Sequence, residues 1–305
     1  MARYTPYGVL INATTIGGVT NQDIDTGTTV NAEVTSGAEG PQYGELSQIQ
    51  PGGNFTTHDI ATLWALLGSR GLCLTGGTAP GFALYKLSRT TCGALTAGSV
   101  HSRSVIPNGL VVPRTISVRQ SERASMTAEV FSLFDGTNLP IQYGESLAAP
   151  TGLADANGFH IGAVTVAGIT IANVTAIEID FGVTVVPQMD DGESYAKHLI
   201  VTERKPKLTI TTHAMEKQGT AGTQIPLTGR RATHANSSIV LRKRIIGTGA
   251  FETGDDHIRF TFDGVVNFGR SSAAQNNPWE TQLMVTALDD TTNDLFVPAF
   301  DYTIV

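Results

Sequence analysis

Cysteine is almost absent from this chain: Cys73 and Cys92 are its two thiols in 305 residues. They show no CxxC spacing and no histidine at metal-ligand distance along the chain. That excludes a disulfide framework and a zinc site of the usual kind. Two such thiols fit synthesis in a reducing compartment, the cytoplasm. No apolar run reaches the roughly 18 residues a membrane helix needs. The first ten residues lack a charged segment followed by an apolar one, so no signal peptide is expected. Charge is sparse too: 15% of the chain, with 20 basic and 27 acidic side chains and a net charge of −7. The imbalance is spread along the whole length, which excludes a basic nucleic-acid-binding arm. The catalytic motifs are missing as well. There is no GxSxG, HExxH, P-loop, or GxGxxG between strand and helix. No enzyme activity, catalytic residue, metal ligand or cofactor is expected.

What the chain does contain is a copy of itself. Shifted by 155 positions, residues 9–58 align without a gap onto residues 164–213, and fifteen of those fifty positions are identical. They include Val9/Val164, Ile24/Ile179, Asp25/Asp180, Gly27/Gly182, Val30/Val185, Pro51/Pro206 and Thr57/Thr212. Ordinary composition would give roughly three or four by chance. The match resumes at an offset of 156 with His101/His257 and Arg103/Arg259, then returns to 155 at Gly109/Gly264 and Val130/Val285. A period this long is a whole domain rather than a solenoid repeat. The expected division is a first copy at 1–150 and a second at 151–305, each with its own core. The Ala-, Pro- and Gly-rich stretch 146–157 is the expected linker.

Thr and Gly are abundant, and most segments alternate with period two, so strands are expected. In the second copy Thr175, Ile177, Ile179, Phe181, Val183 and Val185 share one face. Ala176, Glu178, Asp180, Gly182 and Thr184 share the other. The first copy repeats the scheme more weakly, with Ile24 and Val30 expected inward and Asp23, Asp25 and Gly27 outward. Strands are expected over 9–16, 46–56, 82–88, 100–105, 110–118 and 124–133. In the second copy they are expected over 164–171, 199–211, 238–246, 258–262, 265–268 and 282–288. One helix is expected, capped by Thr57, with Ile60, Leu63, Trp64 and Leu67 on one stripe and Gly68 closing it. Its counterpart at 212–219 is shorter and more polar.

Two sets of residues recur in both copies and carry the functional reading. His101 with Arg103, and His257 with Arg259, form a His-x-Arg pair on a strand. An exposed pair of this kind suits a subunit contact, because Arg is favoured at interfaces. The acidic positions Asp23 and Asp25, with their counterparts Glu178 and Asp180, stand two apart on the polar face of a strand. A glycosidase pair would face across a cleft from separate elements, so these read as a negatively charged sheet surface. The basic clusters at 203–207 and 242–244 lack interleaved aromatics or a recognition helix. They read as solvated loops or interface ion pairs.

Three segments together resemble the tail tube proteins of long, non-contractile-tailed bacteriophages. They are Asn-Gly-Leu-Val-Val-Pro at 108–113, residues 125–134, and Asp-Gly-Thr-Asn-Leu-Pro at 135–140. In the second copy, 177–185, Asp191-Gly192 and 199–212 are similar to the strand pair that lines such tubes. The resemblance implies a mainly β fold of two tandem β-sandwich or barrel domains, each with at most one flanking helix. Long strands would contribute to a ring-shaped barrel between subunits. It implies a structural virion protein, synthesised in the host cytoplasm. Usually six single-domain subunits make a ring; a duplicated chain implies a trimeric, pseudo-hexameric one. Rings would stack into a tube, contact tape-measure, tail terminator and distal tail proteins, and let double-stranded DNA pass. The lumen would be lined by Asp23, Asp25, Glu178 and Asp180, which would repel phosphates and let the genome slide. The alternatives are a capsid or decoration protein built from two β-domains, and a DNA sliding clamp.

Overall fold

The structure is a computed structural model. It describes residues 7–34, 36–68, 71–76, 81–87, 100–148, 150–151, 158–190, 192–214, 225, 233–244, 250–251, 257–274, 277–287 and 301–304. The first copy supplies β1 (Tyr7–Ile11), β2 (Thr14–Ile16), β3 (Val19–Asp25), β4 (Thr28–Glu33), β5 (Tyr43–Ile49) and β6 (Gly52–Thr57). Then come α1 (Ile60–Leu67), β7 (Leu72–Leu74), β8 (Phe82–Leu87), β9 (Val100–Ile106), β10 (Gly109–Arg119), β11 (Ser125–Ser132) and β12 (Gln142–Ala148). The second copy supplies β13 (Phe159–Val166), β14 (Ile169–Ile171), β15 (Val174–Asp180), β16 (Val183–Gln188), β17 (His198–Arg204) and β18 (Lys207–Thr212). It ends with β19 (Thr233–Lys243), β20 (His257–Ala274), β21 (Asn277–Ala287) and β22 (Asp301–Ile304).

The sequence repeat is a structural repeat, strand for strand. β2 to β6 and β14 to β18 have the same bounds once shifted by 155. Their pairings and irregularities coincide. The β3–β6 ladder slips between Val19 and Asn21, and the β15–β18 ladder slips between Val174 and Ala176. Side-chain bonds repeat too: the Thr57 hydroxyl donates to the Gly17 carbonyl and the Thr212 hydroxyl to the Ala172 carbonyl. The one-residue change of offset is visible as well. In the first copy Pro107 and Asn108 separate β9 from β10, whereas Asp263 alone carries β20 through as one strand. Proline cannot donate to a ladder, which favours a break there.

Because β20 runs on, the second copy is one continuous sheet where the first is two. The large sheet has thirteen strands, with main order β14-β13-β19-β20-β21-β18-β15-β10-β11-β6-β3. A five-stranded sheet, β12-β9-β8-β1-β2, belongs to the first copy, and β4–β5 and β16–β17 are separate hairpins. The chain is therefore mainly β as expected. The expected sandwich or barrel domains are not what forms: no sheet closes into a barrel or curls strongly. The reason lies in β10 and β15. They pair antiparallel across the copy boundary, from Thr115 opposite Asp180 to Arg119 opposite Ala176. The first copy's sheet is thus extended by the second instead of folding back on itself.

The core follows the same logic. One buried cluster runs from Val9 to Val285 and takes side chains from both copies, where a separate core in each was expected. The helix is the main tie. Ile60, Leu63, Trp64 and Leu67 are buried as the stripe predicts. The cap is Asp59, not Thr57: the Asp59 carboxylate accepts from the Thr62 amide. Thr57 is fully buried and holds the preceding loop. The stripe does not lie over a face of the first copy alone. Trp64 meets Phe181 at 5.1 Å and Phe260 edge-on at 5.5 Å, both second-copy residues. The large sheet also packs on the small one, through Phe55 stacked on Phe82 at 5.7 Å. Most of the counterpart helix and the linker positions 152–157 lie outside the described residues.

Candidate self-association interface

The junction between the copies is built from three parts. The first is the β10–β15 ladder. The second is Arg114, set in a bulge of β10 between Pro113 and Thr115. Its guanidinium bonds the Glu129 carboxylate and reaches across to the Val183 carbonyl, while its own carbonyl accepts from the Phe181 amide at 2.9 Å. The third is the β16–β17 hairpin, which turns Val183 and Val185 inward and leaves Val186 and Ile200 exposed. Val183 and Val185 are 2% and 9% exposed. Beyond the hairpin, Tyr195 packs on Phe134 at 5.1 Å, and Ile49 donates to the Ser194 carbonyl.

Two of these parts, the ladder and the hairpin, have counterparts that lack the same cover among the described residues. β3 repeats β15, yet among the described residues it pairs only with β6 and ends the large sheet. Residues 270–274 of β20 repeat 115–119 of β10, yet among the described residues they pair only with β21. The offset holds there in structure: Ser271 opposite Thr281 repeats Ile116 opposite Met126. The β4–β5 hairpin repeats β16–β17, but Val30 is 61% exposed where Val185 is buried, and Leu46 is 50% exposed. Val34 and Tyr43 extend this apolar surface. Tyr43 donates to Glu45 at 2.7 Å, a bond to a nearby negative charge that raises the phenol pKa. Gln22 sits where Ile177 is buried in the second copy, and its side-chain amide has no hydrogen-bond partner. Unmet polar atoms shielded from water cost about 1–3 kcal/mol, and long bare edges invite strand addition.

The four acidic candidates share one face of the large sheet. Asp180 stands opposite Thr115, Thr115 opposite Thr127, Thr127 opposite Thr56, and Thr56 opposite Asn21. The Thr56 and Thr127 hydroxyls bond at 3.0 Å, as neighbours on one face do. Asp23 and Asp25 follow Asn21 on that face with period two, and Glu178 accompanies Asp180. All four are exposed. The face is not purely acidic, because Arg119 and Lys207 also stand on it. Asp25 and Asp180 have a structural task as well: each accepts the backbone N–H two residues on, from Gly27 at 3.1 Å and Gly182 at 2.9 Å. Those glycines turn the chain with φ near +58° and +55°, and a Cβ on either would strike the facing carbonyl of Gln50 or Lys205. Beside Asp23 and Asp25 lies a cleft of about 300 Å³, also lined by Gly27, Gln50 and Glu129.

The His-x-Arg pairs are placed differently. His101 is 3% exposed, so the first pair is not the exposed one its spacing suggested. Arg103 lies over the Tyr85 ring at 5.9 Å. In the second copy His257 is half-buried and Arg259 exposed. Of the basic clusters, Lys205 pairs with Glu203, and Arg242 and Arg244 both stack on Phe251, at 5.2 and 5.0 Å. The Asp135 turn is well tied. Asn138, Thr137 and Asn108 all donate to its carboxylate and lower its pKa to about 2. Among the described residues no group of three or more His, Cys, Asp or Glu is placed to hold a metal. No helix there is long and apolar enough to cross a membrane.

Sequence reasoning missed Arg114 and Gln22, and it placed Val30 inward where the first-copy hairpin leaves it exposed. The signal for the hairpin was available: Val30 and Val185 are identical, yet only the second lies among alternating apolar neighbours. No protein-family model matches the chain, and no curated protein matches it.

Proposed function

We propose that this protein is a structural, self-assembling ring protein of the tail-tube type. One observation carries the reading: the chain contains a complete junction between two copies of its domain, and both halves of a second one stand unpaired among the described residues. A contact that uses different surfaces on its two sides is heterologous, and it closes a ring when the rotation divides the circle. Within the chain the first copy offers β10 to the second copy's β15. Between chains the second copy's β20 meets the first copy's β3. Three chains then supply six repeated units. Covalent linkage makes every other junction intramolecular, at high effective concentration.

The shared sheet face supports a conduit for DNA. Thr, Ser and Asn hydroxyls and amides dominate it, and carboxylates outnumber cations. Such a surface offers phosphates little to hold. Stacked rings would place the chain in a phage tail, with tape-measure, terminator and distal tail proteins as partners. The clamp alternative needs basic helices around DNA, and α1, Ile-Ala-Thr-Leu-Trp-Ala-Leu-Leu, carries no charge at all. Negative-stain electron microscopy of purified, concentrated protein tests the reading. Rings that stack into tubes are expected. Particles that stay single-chain at all concentrations contradict it, and assembly only on a preformed shell favours a decoration protein.

A further inference from the structure

We infer that Arg270 locks one chain to the next, and that its socket is the acid-lined cleft beside Asp23 and Asp25. The inference rests on the head-to-tail reading above and adds its register and its charge pair. The intrachain junction fixes the register. Thr115 stands opposite Asp180, Ser117 opposite Glu178 and Arg119 opposite Ala176. Moving each partner by one repeat, to 155 lower on β15 and 155 higher on β10, sets Arg270 opposite Asp25. It sets Ser272 opposite Asp23 and Ala274 opposite Asn21. Residues directly opposite on antiparallel strands share a face, so the arginine position falls on the carboxylate face.

Three independent features agree with this register. The ladder irregularity that sets Arg114 in β10 recurs in β20 between Phe268 and Ser271, where Gly269 takes the place of Arg114 and Arg270 that of Thr115, the residue opposite Asp180. The cleft on the receiving side is lined by three carboxylates, Asp23, Asp25 and Glu129, and by no cation, and of the three Glu129 is paired with Arg114. Finally, the same register sets Ala273 opposite Gln22, whose amide is unmet in the single chain. A small residue there leaves room for that amide to find backbone partners on the incoming strand. Charge pairs at such contacts set partner choice and register.

The test is the concentration dependence of assembly, read by sedimentation velocity with circular dichroism as a check on folding. Arg270→Glu is expected to weaken assembly at least tenfold, and Arg270→Lys to weaken it much less. Adding Asp25→Arg to Arg270→Asp is expected to restore assembly to within a few-fold of the unchanged protein. If Asp25→Arg does not fold, having lost the bond to Gly27, the Glu and Lys variants decide together with salt. Raising salt is then expected to weaken the unchanged protein and to strengthen Arg270→Glu, whose repulsion from the carboxylates it screens. Unchanged assembly of Arg270→Glu overturns the lock and leaves the head-to-tail reading standing. An unchanged protein that never assembles overturns both.

Discussion

Val30→Asp abolishes self-association and leaves the single chain folded, whereas Val185→Asp destabilises the chain itself. The two valines are the same position in the two copies. They differ only in what covers them: 61% of Val30 is open and 9% of Val185. At 185 the substitution removes a buried side chain and buries a carboxylate in the same stroke. Together these cost about 3–5 kcal/mol. At 30 the carboxylate stands in water, so the folded chain loses almost nothing. In the assembly the β4–β5 hairpin takes the covered place that β16–β17 has within the chain, and the same penalty falls on the contact. Chemical denaturation and sedimentation separate the two effects. A comparable loss of stability in both variants would mean that the hairpin is already covered in the single chain. Normal assembly of Val30→Asp would remove the hairpin from the interface.

Trp64→Ala is expected to cost about 3–5 kcal/mol, a fall in Tm of roughly 10 °C. Trp64 is 1% exposed and its ring lies against Phe181 and Phe260. It belongs to the first copy, and Phe181 and Phe260 belong to the second, so the cavity opens along the seam between copies. The loss is expected to reach the β10–β15 ladder as well, read as faster amide exchange at 176–180. A change below about 1 kcal/mol, or exchange that speeds up only around α1, would mean that the seam does not depend on the helix.

The alternation at 175–185 and the stripe of α1 were legible in the sequence, because each buries one face and periodicity records that. The repeat offset gave the strand correspondence and bracketed its slip between Arg103/Arg259 and Gly109/Gly264, and the structure puts that slip at residue 263. Other features were not legible. The segment 9–16 folds into two strands at Asn12 and Ala13, both with positive φ, and Ala167 with Gly168 does the same in the second copy. A hairpin of this kind wants positive φ at both central residues, and alanine does not announce it. The β10–β15 pairing was hidden for a different reason. Strand alternation tells which face is buried and says nothing about which edge meets which, so the reading of closed domains missed an open sheet shared by both copies. The acidic residues were found as a face. Their second role, accepting the Gly27 and Gly182 amides, follows from turn geometry that strand periodicity does not encode.

The central claim is that the junction inside the chain is repeated between chains, and cross-linking tests it most directly. In a Cys73→Ser, Cys92→Ser background, Ser117→Cys with Glu178→Cys is expected to close a disulfide within one chain, since these residues stand directly opposite. Ser272→Cys with Asp23→Cys, one repeat away, is expected to link chain to chain under mild oxidation and to stop at three chains. Ala273→Cys with Asp23→Cys is out of register, on opposite faces of the two strands, and is expected to stay reduced. Chain-to-chain linkage of the 272/23 pair alone is the predicted result. Free thiols at 272 and 23, under conditions that close the 117/178 pair, would contradict the account.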